Sequence, residues 1–553
     1  MPKVDLSRKD LFTLAGIDDP GDAALADLLS LVKGEIDNSD GDRLKIELND
    51  TNRPDLWCTE GIARALRCHA RGPEKHLSSA NRTDLEIRVD GSLEEVRPFV
   101  AAFTACGWAP DEKGLESLIQ VQEKLASSFG RNRKTAAAGF YRLDEIVFPV
   151  KYRGASPDTR YVPLGEDGEM SLREVLGKTD TGREYAHILE GASVYPVIED
   201  SSGGILSFPP ILNSRGTGRV RPGDSNLFCE VTGTDWNTVQ LMATILACNL
   251  EDRGAVITPI RVVYPDGHPG RTGLCPVRFA DGMTATMDDI ESILGMKLEP
   301  GEVADALRAM DYPEVRIDGN SVTGVMPPYR HDGIHMADMV EDIAVSLGYG
   351  SFEPLLPGGF TRGRSSPLAD LADAVRLLMV GAGFEEILRP VLTGMEKAAV
   401  RTRAPEPPVA LANPMTAEYG VVRNSLVPGL LEVESTSAYA WYPHRIFEVG
   451  EVLRADDEGV CATEIFLAGV VCGNEANFGD VHSVLGHLCL ARDVTLELKP
   501  GDDPRFVPGR CAGIVMDGRD SGVVGEVHPA VLEAWGITRP VAAFEIRLDS
   551  LGG

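Results

Sequence analysis

Residues 330–350 read "RHDGIHMADMVEDIAVSLGYG" and bring four acids close together: Asp332, Asp338, Glu341 and Asp342. Asp338, Glu341 and Asp342 follow i, i+3, i+4 spacing, so on a helix they share one face. Met336, Met339, Val340, Ile343, Ala344 and Leu347 recur at helical period on the other side, and Gly348 supplies a stop. Period alone therefore predicts an amphipathic helix with a solvated acidic face. Surface helices usually mix signs through i,i+4 pairs, however, and this face has none. Grouped oxygen donors are also what a hard cation such as Mg²⁺ takes. The spacing permits a metal without demanding one, and the rest of the chain must decide.

With 553 residues the chain is too long for one core and implies several domains. Its 43% hydrophobic and 25% charged content is that of a folded soluble protein. No apolar run approaches the roughly 20 residues that span a bilayer. The start, "MPKVDLSRKDLFTLAGIDD", has neither a signal core nor transit character, so a cytoplasmic location without a membrane partner is expected. Ten cysteines without a C-x-x-C pair suggest neither a zinc ribbon nor a disulfide framework. The net charge of −30 opposes a protein that grips nucleic acid over its whole surface. A local basic patch remains in "FGRNRKTAAAGFYR", with Arg131, Arg133, Lys134 and Arg142 among aromatics. It reads equally well as a solvated turn.

Four blocks emerge, giving an α+β multidomain reading. Residues 1–88 pair a strand ("RLKIELND") with a helix, Pro54 marking its start and Asp55 favouring the positive end of its dipole. Residues 89–268 mix helices such as "GLESLIQVQEKLASSFG" and "WNTVQLMATILACNLEDRG" with the β-type runs "EIVFPVKY", "GGILSFPPIL" and "SNLFCEVTG". Residues 269–350 form a small helix-rich block ending in the acidic helix. Residues 351–553 begin with the Pro/Gly/Ser-rich "EPLLPGGFTRGRSS" and carry "HRIFEVGEVL", "EIFLAGVVCG", "CAGIVMDGRDSGVVGEV" and "VAAFEIRL", which predict a mainly antiparallel sheet.

There is no G-x-x-x-x-G-K-[ST] loop, H-E-x-x-H, G-x-S-x-G or dinucleotide fingerprint, and the histidines show no ligand spacing. Against that background "NDTNRPDLWCTEGIARALR", "ILSFPPILNS", "NLFCEVTGTD", "PPYRHDGIHMADMVEDIAVSLGYGSFEP", "ANPMTAEYGVVRNSLVPGLLE" and "PHRIFEVGEVL" stand in order along nearly the whole chain. Together they resemble the phenylalanyl–transfer RNA synthetase beta subunit family, in its shorter archaeal and eukaryotic form. Trp57, Cys58, Gly333 and Gly420 depart from the family pattern, but no acid and neither proline of Pro209–Pro210 is lost.

The resemblance implies Mg²⁺ at Asp332, Asp338, Glu341 and Asp342, in a small winged-helix-like domain. It implies that residues 351–553 form a class II synthetase-like domain that is catalytically inactive, with Arg423 and "IFEVGEV" as remnants. Adenylation and ATP binding then fall to an alpha subunit in an α₂β₂ assembly acting on tRNA(Phe). The chemistry left to this chain is proofreading of tyrosyl-tRNA in block 89–268, with Ser207, Asn213, Glu230 and Thr232 as site residues. Glu230 is the natural acceptor for a phenolic proton, and Ser207 and Thr232 orient water. Two alternatives stay open: a non-catalytic tRNA-binding scaffold with a decayed editing site, and an unrelated metal-dependent hydrolase built on the acidic cluster.

Overall fold

A computed structural model describes residues 2–50, 52–77, 84–456 and 458–552. Its contacts divide the chain into two compact units, Met1–Leu356 and Pro357–Gly553, parted inside the Pro/Gly-rich connection. The architecture is mixed α/β with several separate sheets. No helix among the described residues is long and apolar enough to cross a membrane.

The first unit opens with a three-stranded antiparallel sheet in which Arg43–Leu48 lies between Lys3–Ser7 and Gly34–Asp40. Leu44, Ile46 and Leu48 alternate into the core, the period-2 pattern that makes this segment a strand. The helix that follows begins later than its sequence suggested. Pro54–Leu56 is a single 3₁₀ turn, and the α-helix runs Thr59–Arg71 with the Cys58 sulfur as its cap acceptor. Asp55 serves no helix dipole: its carboxylate is forked by Arg53 through two 2.8 Å bonds in a buried position. On the same helix Arg64 and Arg67 reach Asp252, at 2.7 and 2.6 Å, and fasten it to the helix Trp236–Asp252. Taking one partner from such a buried pair strands the other charge, so these contacts fix the packing of the two helices.

The body of the unit is a ten-stranded sheet. From one edge the order is Leu212–Asn213, Ile205–Phe208, Tyr195–Glu199, Val150–Ala155 and Glu86–Val89. It continues through Val256–Val263, Phe99–Cys106 and Asn226–Gly233 to Ala136–Arg142 at the other edge, with Gly273–Cys275 pairing Val256–Val263. The helix Trp236–Asp252 covers the strands at the second end, which read as near-continuous apolar runs because both faces are buried. A smaller three-stranded sheet, Gly282–Thr286, Ser321–Val325 and Glu314–Asp318, carries the helices Met287–Leu294, Pro300–Ala309 and Met336–Leu347.

The second unit is built on a seven-stranded sheet, antiparallel except where Glu385–Glu386 pairs His444–Ala455 in parallel. "CAGIVMDGRDSGVVGEV" is two strands, Phe506–Met516 and Arg519–Val527. Asp517 and Gly518 turn between them at φ 48 and 78, the left-handed pair that an Asp-Gly hairpin supplies.

Gly61 tests the packing of the first helix. A Cβ there would lie 1.8 Å from the Asp55 carbonyl oxygen, so the buried backbone would have to move. Alanine is the better helix former by about 1 kcal/mol, yet Gly61→Ala should destabilise the first unit by about 2 kcal/mol through overpacking. The midpoint of the first urea transition reads this directly, and an unchanged or raised midpoint would contradict the close contact.

Candidate functional site

In the strand Asn226–Gly233, alternation puts Phe228, Glu230 and Thr232 on one face. Opposite them in register on Ala136–Arg142 stand Tyr141, Gly139 and Ala137. The small residues leave a hollow over Glu230 and Thr232; a Cβ on Gly139 would meet the Tyr141 hydroxyl at 2.3 Å and Glu230 Oε1 at 2.7 Å. The far edge of the sheet closes this hollow. Ser207 and Asn213 pair across the two short edge strands, and Asn213 Oδ1 accepts from the Tyr141 hydroxyl at 3.1 Å and from Ser207 at 3.2 Å. The sheet thus curls until its first and last strands meet, and a cavity of about 230 Å³ lies where they do. Ser207, Asn213, Glu230 and Thr232, four residues singled out from sequence, all line it.

Burial governs the electrostatics. Glu230 is 2% exposed, and its Oε1 accepts the Tyr141 hydroxyl at 2.8 Å. Its Oε2 has no hydrogen-bond partner among the described residues. Loss of water pushes the carboxyl up to about 8, against the opposing pull of the Tyr141 hydrogen bond and the Arg97 charge. At neutral pH the acid is therefore largely protonated, so Oε2 can donate to a phenolic oxygen; once ionised, the same oxygen accepts. In either form it asks for a polar partner. Tyr141 is driven the other way from reactivity: burial and the neighbouring acid raise its phenol far above its ordinary value. Thr232 is anchored by the buried Arg97, whose Nε donates to Thr232 Oγ1 at 2.9 Å. With that lone pair taken, the threonine proton is free to point elsewhere.

The sequence reading missed Tyr141, Gly139 and Arg97, which only strand pairing brings to the site. Of the two readings of the basic patch, the structure forms the turn. Arg131, Asn132 and Arg133 form a left-handed turn at φ 50, 52 and 64, which splits the group. Arg133 turns inward to line the cavity, donating to the carbonyls of Pro210 (3.2 Å) and Ile211 (3.1 Å) beyond the cis Pro209–Pro210 bond, and to Glu123 at 2.9 Å. Arg142 pairs with Glu145, while Arg131 and Lys134 stay exposed.

The acidic cluster is arranged otherwise than expected. Arg330, two residues before it, is buried and donates to Asp332 at 2.7 Å and to Asp342 at 2.8 Å. Asp342 also accepts from the Tyr312 hydroxyl at 2.7 Å. Asp338 closes a capping box at the start of Met336–Leu347, accepting from the amides of Ile334 and His335 at 2.7 and 2.8 Å. Glu341 pairs with Lys33 at 2.7 Å, three hundred residues away in sequence. Asp332 and Asp342 share Arg330 while Asp338 and Glu341 each have partners of their own, and among the described residues no three of their oxygens gather within 4.8 Å. The set does not fit an oxygen cage for Mg²⁺. The helical wheel looked uncompensated because its cations come from outside the helix.

Residues 354–548 match the pattern of the phenylalanyl tRNA synthetase beta chain CLM domain, and residues 283–349 that of the tRNA synthetase B5 domain. The phenylalanine–tRNA ligase beta subunit of Thermococcus kodakarensis is 36% identical over 575 residues, covering 100% of this chain and 99% of that one. That of Pyrococcus horikoshii is 36% identical over 560 residues and covers both chains fully. That of Borreliella burgdorferi is 35% identical over 541 residues, 95% of each. An N-terminal fragment of the Pyrococcus horikoshii beta subunit superposes with a TM-score of 0.60 at 34% identity, covering 63% of this chain and all of the fragment. The chain belongs to the phenylalanine–tRNA ligase beta subunit family.

Proposed function

We propose that this chain works with an alpha subunit, as α₂β₂, to attach phenylalanine to tRNA(Phe) in the cytoplasm, and that its own cavity hydrolyses tyrosyl-tRNA(Phe). ATP binding and adenylation are assigned to the alpha subunit. In this reading residues 1–88 are an N-terminal domain, 89–268 the editing domain, 269–350 a winged-helix-like domain, and 351–553 an inactive class II synthetase-like domain. Mg²⁺ at the acidic cluster is left out of it, because Arg330 holds the carboxylates of Asp332 and Asp342.

The observation that carries the proposal is one buried carboxyl oxygen, Glu230 Oε2, unpaired in a cavity sized for an amino-acid side chain. A pocket that selects phenylalanine by apolar contact discriminates only about a hundredfold against an added hydroxyl. Here the preference is inverted. Tyrosine pairs its hydroxyl with Glu230, whereas phenylalanine would leave the oxygen buried and unpaired. Among the described residues no histidine or cysteine lines the cavity. Hydrolysis would therefore rest on water held by the hydroxyls of Ser207 and Thr232 and the amide of Asn213.

For the alpha subunit, support comes from the loop between Val427–Thr436 and His444–Ala455. There Tyr439 is 89% exposed and Trp441 97% exposed, an aromatic pair of the kind that anchors subunit contacts.

Three outcomes test the reading. Glu230→Ala should slow deacylation of tyrosyl-tRNA by about two- to tenfold, the kinetic equivalent of the roughly 0.5–1.5 kcal/mol of a neutral hydrogen bond. Phenylalanine attachment by the complex should hardly change, and equal loss of both would indicate a damaged fold. Replacing Tyr439 and Trp441 together by Ala should weaken co-purification with the alpha subunit by at least about tenfold, since such anchors are worth about 2 kcal/mol each; undiminished assembly would place the interface elsewhere.

The third outcome concerns pH. Burial pushes the Glu230 carboxyl from an ordinary value of 4.5 up to about 8 in the folded chain. The folded state holds this proton more tightly, so the stability contributed is intact below about pH 4.5 and is lost as pH rises through about 8. Glu230→Gln does not titrate there, so its Tm should gain on the wild type across that window. A Tm difference that is flat with pH would mean that Glu230 is already ionised.

A further inference from the structure

In the second unit, a cavity of about 170 Å³ lies between the helix Val427–Thr436 and the segment 389–398. Three cations, Arg389, Lys397 and Arg423, face it, together with Glu418 and Glu432. Directly behind stands Glu448, wholly buried, with Oε1 accepting from Arg423 Nη1 at 2.7 Å and from the Arg389 amide at 3.2 Å. Three charges of each sign are thus gathered at one small hollow.

The pairing is incomplete in a specific way. Glu448 Oε2 and Arg389 Nε are both buried, and neither has a hydrogen-bond partner among the described residues. Arg423 spends Nε on the Glu451 carbonyl and Nη1 on Glu448 and the Arg389 carbonyl, leaving Nη2 undonated. Buried polar atoms are seldom left so, and a group of opposite sign is wanted at both ends. Gly429 lines the cavity, and a Cβ on it would stand 3.3 Å from Arg389 Cγ and 4.0 Å from Glu448 Oε2. The bare glycine keeps the carboxylate within reach of the cavity.

We propose that this cavity binds a small zwitterion, an α-amino acid, whose ammonium pairs with Glu448 and whose carboxylate pairs with Arg389 and Arg423. A lone anion or cation would unbalance three charges against three, whereas a molecule carrying both adds none. The short spacing between the charges of an α-amino acid suits an Oε2 and an Nε carried by two residues that are hydrogen-bonded to each other. Leu392, Tyr419 and Pro428 complete the wall and favour an apolar side chain. The site is separate from the cavity at Glu230 and owes nothing to it.

The test uses the full chain carrying Glu230→Ala, so that binding at the first cavity does not contribute, and titrates each proteinogenic L-amino acid by calorimetry. At least one apolar amino acid should bind saturably, with its deaminated acid and its decarboxylated amine each at least about tenfold weaker, the worth of one charged hydrogen bond. Gly429→Ala should weaken binding at least about tenfold by filling the space through which a ligand reaches Glu448 and by pressing on Arg389, while Tm holds or rises because alanine favours the helix. Glu448→Gln keeps an acceptor for Arg423 and removes the charge, and it should weaken binding similarly; it serves if the alanine variant does not fold. The proposal is overturned if no amino acid binds, if the deaminated acid binds as well as its parent, or if a folded variant binds as tightly as the wild type.

Discussion

The hydrogen bond from Tyr141 to Glu230 is the contact on which the first unit's site depends. It holds one carboxyl oxygen and leaves the other free, and the same hydroxyl reaches Asn213 on the opposite edge of the sheet. One buried phenol therefore both closes the cavity and orients its most polar group. The interior position makes this consequential. In water an unpaired carboxyl oxygen costs nothing, but at 2% exposure it penalises any occupant that cannot pair with it. In the proposed reading, specificity for a hydroxyl follows from that penalty. The raised titration of Glu230 comes from the same dry setting.

Glycines and alanines make that geometry possible. Gly139 stands across from Glu230 and Ala137 across from Thr232, so the strand pair bulges with polar side chains on one edge and recedes on the other. Arg133 then braces the turn at Pro209–Pro210, and Arg97 braces Thr232. In the second unit the logic recurs with different residues. Arg423 and Glu448, which the sequence reading set aside as remnants, form a buried ion pair beside a cavity. A charge pair kept in a core is weak support for stability, since apolar residues could replace it. The proposed ligand would give partners to the atoms that this pair leaves unsatisfied.

Much of this was legible in the residues. The β-type runs "SNLFCEVTG" and "GGILSFPPIL" contain the strands Asn226–Gly233 and Ile205–Phe208, and the helix Met336–Leu347 was plain from its period. Ser207, Asn213, Glu230 and Thr232 are reached through resemblance and not through spacing. What sequence could not reach is whatever pairing supplies. Tyr141 meets Glu230 only because two strands align, and Lys33 meets Glu341 across three hundred residues. A metal at Asp332, Asp338, Glu341 and Asp342 came from resemblance, spacing only permitting it, and the partners of these acids lie on a preceding loop, a backbone turn and the residue before a distant strand. Asp55 misled for the opposite reason: a near neighbour, Arg53, claimed it before the helix dipole could.

The central claim is that Glu230 Oε2 recognises a phenolic hydroxyl. A crystal structure of the chain soaked with a non-hydrolysable tyrosyl-adenosine analogue, its ester replaced by an amide, measures this directly. The account predicts the phenolic oxygen about 2.7 Å from Glu230 Oε2, with the Tyr141 hydrogen bond to Oε1 retained. A tyrosyl ring bound elsewhere, or bound in this cavity with its hydroxyl turned away from Glu230, would contradict it.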